Sequence, residues 1–489
     1  MAEFDPKDAR IAELEAQVAA RDAVIVELMA KVEALTARVA ELEARLRQNS
    51  SNSSKPPSSD VPGTPRPPKK PTGRRPGGQP GHKKHERGLL PPEEVQHFVE
   101  LVPKECRGCG SWLVGRDSEP RRHQVVEVPP LSAIVTEYRS HALECGACGA
   151  CGTVTRQPVP AHASSAFGDK LSALASLLVG KYRLSKRLVK DALSDMLGVE
   201  VSVGSVSNLE GEMTDALSPA AAEALSYVQA ADKAHADETG WVEGRKEGRG
   251  HRAWLWVAAT ALVVVFQIAR SRGGKVAKAL LGEDFLGILT TDRWAGYDWY
   301  DKGLRQLCWS HITRDFQGFI DRGGEGCRIG ERLMRERHRF FKWWHRVRDG
   351  TLAREDFEQR MKKVRRTVGR LLREAEVRAE KKTAGMAREI LKLEECLWTF
   401  VDVPDIEPTN NFGEQCIRHA VMCRKTSFGT QGPDGSRFVE RIFTTVTTLK
   451  LQNRGVLEFL TDTLGAHRRG LQTPSLLPLA EAPQFADAA

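Results

Sequence analysis

From about Gln229 the chain stops reading as helix and begins to read as sheet. KAHADETGWVE, HRAWLWVAAT and LVVVFQIARS make three successive strand candidates, GGKVAKALL returns to helical spacing, and GILTTD supplies a fourth strand that stops on an acid. Three strands in a meander, a helix and a further strand constrain the topology closely: the first and fourth strands become neighbours in one sheet. Asp237 lies in the first strand and Asp292 closes the fourth, so this order brings two carboxylates together. The apolar run Ala253–Ala269, AWLWVAATALVVVFQIA, is better explained by two buried strands than by a membrane span, since it contains Thr260 and Gln267 and alternates around Trp254 and Trp256.

The strand order is the opening of a ribonuclease-H-like fold. A third acid follows a long basic stretch, in EPTNNFGEQCIRHAVMCRKTSFGT. Thr409 or Asn410 can cap a helix there, which puts Glu414 one turn in and Arg418 on the same face at i+4. Asn410 and Asn411 could orient the glutamate or touch a substrate. Carboxylates delivered from two strands and a helix suit a pair of hard cations, two Mg²⁺ or Mn²⁺, whose mutual neutralisation relieves the repulsion of the acids. Such a pair serves in-line phosphoryl displacement. Glu238, next to Asp237, points to the opposite face of its strand, so Asp237 is the expected ligand.

The rest of the chain divides by composition. In residues 1–47, Ile11, Leu14, Val18, Ile25, Leu28, Val32, Leu35, Val39, Leu42 and Leu46 recur at steps of three and four, with Arg21 breaking the series, which predicts a parallel two-stranded coiled coil. Residues 48–95 are rich in Ser, Pro and Gly and read as a disordered basic linker. Arg66 to Arg87 holds eight Lys/Arg against one acid, so Arg74, Arg75, Lys83 and Lys84 are candidate phosphate contacts. In 96–160, Cys106-x-x-Cys109 and Cys145-x-x-Cys148 predict one structural Zn²⁺ in a small β unit, with Cys151, His123 or His141 as possible substitutes for a ligand. Residues 161–228 have the cadence of a helix-turn-helix, turning at Gly198 and presenting Ser205, Asn208 and Glu210 outward.

Residues 229–313 and 401–470 then form the sheet-bearing core, 314–400 a helical basic insertion, and 471–489 a disordered tail. From Arg314 to Lys392 there are 23 Lys/Arg against 13 Asp/Glu, an excess of 10 that is as large as the whole-chain charge of +9 and fits a polyanionic partner. Within 314–400, Trp343 and Trp344 read as core. Cys308-x-x-His311 is half a metal site, with Cys327 and His338 as candidates for the remainder, and Trp309 between them either packs or stacks on an unpaired base. No signal peptide is legible, so a cytosolic protein with reduced thiols is expected.

GGQPGH, the paired CxxC, the helix-turn-helix segment, HADETGW, TDRWAGY, CWSH and EPTNN-x-x-E together resemble, in order and over almost the full length, the transposases of the insertion sequence 66 family. The resemblance implies a DDE-type, nucleoid-associated transposase with a ribonuclease-H-like core. Its triad would be Asp237, Asp292 and Glu414, with Asn410, Asn411 and Arg418 at the DNA. The family reads closer to NNRAE-x-x-x-R, whereas Phe412 and Gly413 stand here in place of Arg and Ala. Two steps are implied: water attacks a phosphodiester at a transposon end, and the freed 3′-hydroxyl attacks target DNA. Partners would be the terminal inverted repeats, target DNA, a second copy or more through the coiled coil, and accessory transposition proteins. The same acids would also serve a metal-dependent nuclease that does not join strands, and a non-catalytic DNA-binding regulator would be expected to have lost one.

Overall fold

The computed structural model describes residues 6–50, 53–55, 60, 88–129, 131–144, 147, 154–163, 165–246, 249–427 and 429–478. It is a mixed α+β protein. A single helix, α1 (Pro6–Leu46), carries the predicted heptad residues, and Ile11, Leu14, Val18, Ile25 and Leu28 are all about half exposed along it. Between 96 and 160 the structure has less strand than the alternation suggests. Among the described residues there, β1 (Ala142–Glu144) pairs with β2 (Val154–Arg156) and Glu105 bridges Trp112, while Val125, Val126, Val128, Ile134 and Val135 are exposed. Pro129 interrupts the donor series there, and a strand with no partner has no ladder to join.

Three helices follow as expected: α2 (Asp169–Gly180), α3 (Lys186–Leu197) and α4 (Val203–Ala216). Ser185 caps α3 through Leu188 N, Gly198 ends it in the left-handed region at φ 63°, and Ser202 caps α4 through Ser205 N. Val189, Leu193, Val201, Val206 and Leu209 close a small core between them. Glu210 does not face outward as the pattern suggested. It is buried and meets Lys186 Nζ at 2.6 Å, because α3 crosses α4 at that position and its lysine reaches across. Helix α5 (Ser218–Gln229) leads directly into the sheet.

The sheet has five strands: β3 (Lys233–Lys246), β4 (Arg249–Ala259), β5 (Val264–Ala269), β6 (Ile288–Thr291) and β7 (Arg305–Leu307), in the order β5-β4-β3-β6-β7. β3, β4 and β5 are antiparallel neighbours, whereas β6 and β7 add in parallel, the crossover from β5 to β6 passing through α6 (Gly274–Leu281). Residues 253 and 255–259 of β4 are fully buried, as a strand covered on both faces must be. The outer edge of β5 would leave its N–H groups open, but α13 (Pro433–Leu451) supplies acceptors for them. Val264 N donates to Thr448 Oγ1, Phe266 N to Thr444 Oγ1 and Ile268 N to Glu440 Oε1. Four helical residues rise about 6.0 Å and two strand residues about 6.7 Å, so every fourth side chain of α13 meets every second amide of β5. At the other edge, Thr399 Oγ1 donates to Arg305 O and Gln306 Oε1 accepts from Phe400 N.

The insertion has a core of its own. Helices α7 (Trp309–Asp321), α8 (Gly324–Arg348), α9 (Arg354–Arg378), α10 (Lys381–Leu391) and α11 (Thr399–Asp402) gather Trp309, Phe316, Phe340, Trp344, Phe357, Trp398 and Phe400. Trp309 is fully buried and donates Nε1–H to Leu397 O, which resolves its role as packing. Beyond α12 (Asn411–Ser427) and α13, α14 (Val456–Arg468) closes the core. The start of the expected tail is tied down: Leu476 is buried, and its N–H donates to Glu223 Oε2. No helix among the described residues is long and apolar enough to cross a membrane.

Candidate active site

The parallel register between β3 and β6 sets His235 against Thr290. Asp237 stands two residues further along β3, and Asp292 follows directly on the last residue of β6, close enough for its charge to act on Asp237. Glu414 reaches the same place from the first turn of α12, where a helix N-terminus favours an anion. The three acids feel one another. Burial drives the Asp237 carboxyl well above the ordinary carboxylate range, and the charges of Glu238, Asp292 and Glu414 add to the rise. Burial also raises Glu414, with Arg314 opposing and Asp292 reinforcing.

Their partners separate these acids from the other buried carboxylates nearby. Asp237 Oδ1 accepts the Glu238 N–H and Asp292 Oδ1 the Trp294 N–H, both at 2.8 Å, and Glu414 Oε1 is buried with no hydrogen-bond partner. Among the described residues no lysine or arginine pairs with any of the three. Glu238, in contrast, is fully engaged. Arg272 holds its Oε1 at 2.7 Å while stacked between Trp254 and Trp294, and Tyr297 donates to its Oε2 at 2.8 Å. Glu243 and Asp315 are likewise held by Arg270 and Arg293. Among the described residues, Glu238 thus has a charged partner and Asp237 has none.

Two devices fix this geometry; the sequence offered Asn410 as an orienting residue but gave the partners of neither device. Arg305, fully buried on β7, donates to Thr291 Oγ1, to the carbonyls of Asp292 and Trp294, and to Asp298 Oδ1, stapling the loop that carries Asp292. The second is a lacing of the CWSH and EPTNN segments. Cys308 Sγ accepts Asn410 N–H at 3.1 Å, Trp309 N donates to Pro408 O at 2.9 Å, and Ser310 Oγ donates to Asn411 Oδ1 at 3.3 Å. Asn410 is 1% exposed, with Nδ2 donating to Ala236 O and Oδ1 against His235 Nδ1. It ties α12 to the Asp237 strand and has no free edge for a substrate, while Asn411 and Arg418 are exposed.

Phe412 and Gly413, the two departures from the resembling pattern, have local reasons. The Phe412 ring meets the His235 ring edge-on at 5.4 Å. A Cβ on Gly413 would sit 2.8 Å from Asn410 Oδ1, so an inturned Asn410 favours glycine there.

The lacing also brings His311 beside Glu414, with Nδ1 3.6 Å from Oε1. This is not an ion pair at neutral pH. Burial first, then Arg314 and Arg293 against the opposing pull of Asp292, lower the imidazole to about 4. Burial similarly raises the Cys308 thiol. The partner for the CxxH pair is thus Glu414 and not the expected Cys327 or His338, whose Nδ1 instead meets Met334 O one turn back on its own helix.

Of the cysteines expected to hold zinc, Cys106 and Cys109 lie in a tight turn, where Gly110 N donates to Cys106 O and Cys106 N to Ser111 O. Cys145, Cys148, Arg74, Arg75, Lys83 and Lys84 fall outside the described residues.

The family model described as Transposase IS66 family matches residues 169–437, which include all three acids. A second, described as a family of unknown function, matches residues 3–88. The chain is similar to "Uncharacterized protein y4qI" of Sinorhizobium fredii, 27% identical over 404 residues, or 76% of this chain and 72% of that protein. It is also similar to "Uncharacterized protein y4hP" of the same organism, 23% identical over 215 residues, or 42% and 38%.

Proposed function

The chain belongs to the IS66 transposase family, and from that premise we propose that it cleaves transposon ends and transfers the resulting 3′-hydroxyl into target DNA, with Asp237, Asp292 and Glu414 as the catalytic carboxylates. What supports this reading most is the meeting of three acids that no described lysine or arginine pairs, one of them with an oxygen buried and without a hydrogen-bond partner. Such a cluster is unfavourable alone and suits divalent cations. When bound, two Mg²⁺ or Mn²⁺ would neutralise charge on the attacking and leaving oxygens of a phosphodiester. The protein's own share is positioning: Arg305 fixes the Asp292 loop, Asn410 fixes α12 against β3, and Arg272 with Tyr297 keeps Glu238 out of the site.

The sheet order, antiparallel for three strands and parallel for the next two, supports a ribonuclease-H-like core interrupted by a helical insertion. The exposed heptad face of α1 supports pairing with a second copy as a parallel coiled coil. The Cys106–Cys109 turn supports one structural Zn²⁺ shared with Cys145 and Cys148, and α3 and α4 with the Gly198 turn support a helix-turn-helix. DNA contacts are assigned to Arg74, Arg75, Lys83 and Lys84, and at the site to Asn411 and Arg418, while Asn410 acts from behind as a positioning residue. Labelled DNA flanking the gene, incubated with the protein and Mg²⁺, should be nicked and then joined to a target. Asp292→Ala should abolish both steps while end binding survives. Nicking by that variant would refute the assignment, and cutting without joining would reassign the chain as a nuclease.

A further inference from the structure

The lacing of α7 to α12 gathers three donor atoms of a different chemistry from the carboxylate cluster. Cys308 Sγ, a ring nitrogen of His311 and a carboxylate oxygen of Glu414 all lie within 4.8 Å of one another. Two of these atoms, His311 Nδ1 and Glu414 Oε1, are buried, 3.6 Å apart and without any hydrogen-bond partner. That spacing is too long for a hydrogen bond and close to the roughly 3.4 Å expected between two ligands on one tetrahedral cation with bonds of about 2.0–2.1 Å. Leaving both atoms unpaired is costly, and a shared cation would satisfy both at once. The sulfur is prepared in a complementary way. It stands at the N-terminus of α7 and takes the Asn410 N–H, so backbone donors face the charge a thiolate would carry.

We propose that Cys308, His311 and Glu414 form a second cation site, for a borderline or thiophilic divalent ion of the Zn²⁺ class. A sulfur, nitrogen and oxygen set selects such ions over Mg²⁺, which takes oxygen ligands. Three protein ligands leave a fourth tetrahedral position for water or a phosphate oxygen. Glu414 is common to this site and to the carboxylate cluster. A thiophilic ion therefore draws Glu414 away from Asp237 and Asp292 and opposes Mg²⁺-dependent strand cleavage; this consequence, unlike the site itself, rests on the function proposed above.

Co²⁺ reports a thiolate ligand directly through its near-ultraviolet charge-transfer absorption. The full chain titrated with Co²⁺ should show one more equivalent of thiolate-bound cobalt than Cys308→Ser, and the difference isolates this site from cysteines elsewhere in the chain. His311→Gln, which keeps the sulfur, should weaken that equivalent at least tenfold, and excess Mg²⁺ should not displace it. Identical cobalt stoichiometry in the parent chain and Cys308→Ser overturns the proposal. If Cys308→Ser does not fold, unchanged cobalt affinity in His311→Gln overturns it equally. The two readings fail separately: a cobalt site in a chain that cuts no DNA sinks the function but not the site, and Mg²⁺-dependent cleavage indifferent to added Zn²⁺ sinks the competition alone.

Discussion

Adjacent acids on one strand should respond in opposite senses to removal. Glu238 has a side chain 1% exposed and meets Arg272, itself 31% exposed, through two bonds to one oxygen, with Tyr297 on the other. Glu238→Ala removes one charged contact worth about 1.5–3 kcal/mol and strands the buried Tyr297 hydroxyl at a further cost of about 1–3 kcal/mol. Rehydration of Arg272 and relief of repulsion on Asp237 offset part of this. A net loss of about 2–4 kcal/mol corresponds to a fall in melting temperature of about 5–12 °C for a core of this size.

Asp237→Asn keeps the oxygen that accepts Glu238 N–H and removes a charge raised in energy by burial and by three acids. Its metal-free melting temperature should hold or rise. The pH dependence follows from the direction of the shift. A carboxyl whose native pKa is raised keeps its proton longer in the folded state, so its stabilising contribution is complete below the unfolded value of about 3.9 and is lost as pH climbs through the raised value. Metal-free parent protein should therefore lose stability from acid toward neutral more steeply than Asp237→Asn. Added Mg²⁺ should restore it in the parent and not in the variant. Thermal melts in chelator and in Mg²⁺, across pH, test all of this. An Asp237→Asn variant that melts as low as Glu238→Ala would refute the reasoning.

Arg305→Met should cost about 3–5 kcal/mol by leaving the Asp292 loop unstapled, and cleavage at a permissive temperature should fall further than the melting curve accounts for; parallel melts and nicking assays check it. Removal of residues 1–47 should leave a folded core of lower oligomeric state, and an unchanged mass by light scattering would contradict the pairing of α1. Replacing Cys106 and Cys109 together by serine should lower bound zinc by about one equivalent, measured by elemental analysis of the purified chain.

The sheet was largely legible because each strand announces itself by composition: GILTTD and HRAWLWVAAT admit few other readings, and their order places Asp237 beside Asp292. β7 escaped notice because RQL is three residues long and its arginine and glutamine look like surface, although both are buried. Their burial is justified by partners outside the strand, Asp292 and Asp298 in the preceding loop for Arg305 and Phe400, 94 positions away, for Gln306. The same distance concealed Glu414 as the third member of the Cys308 and His311 group, since nothing local to CWSH signals a residue about a hundred positions away. Glu210 was misassigned for a related reason: helical periodicity shows which face an acid occupies, but not that a lysine on the preceding helix will cross to meet it.

Both margins of the sheet are spoken for. On one, three side chains of α13 are indexed to three amides of β5, so a slip of a single residue would break every rung together; on the other, Thr399 and Gln306 close β7. Among the described residues, neither margin of the five-stranded sheet is left open for a strand from a neighbouring copy to extend. If, as proposed, several copies gather on one stretch of DNA, the covered margins keep this sheet out of the β-fusion that such crowding invites.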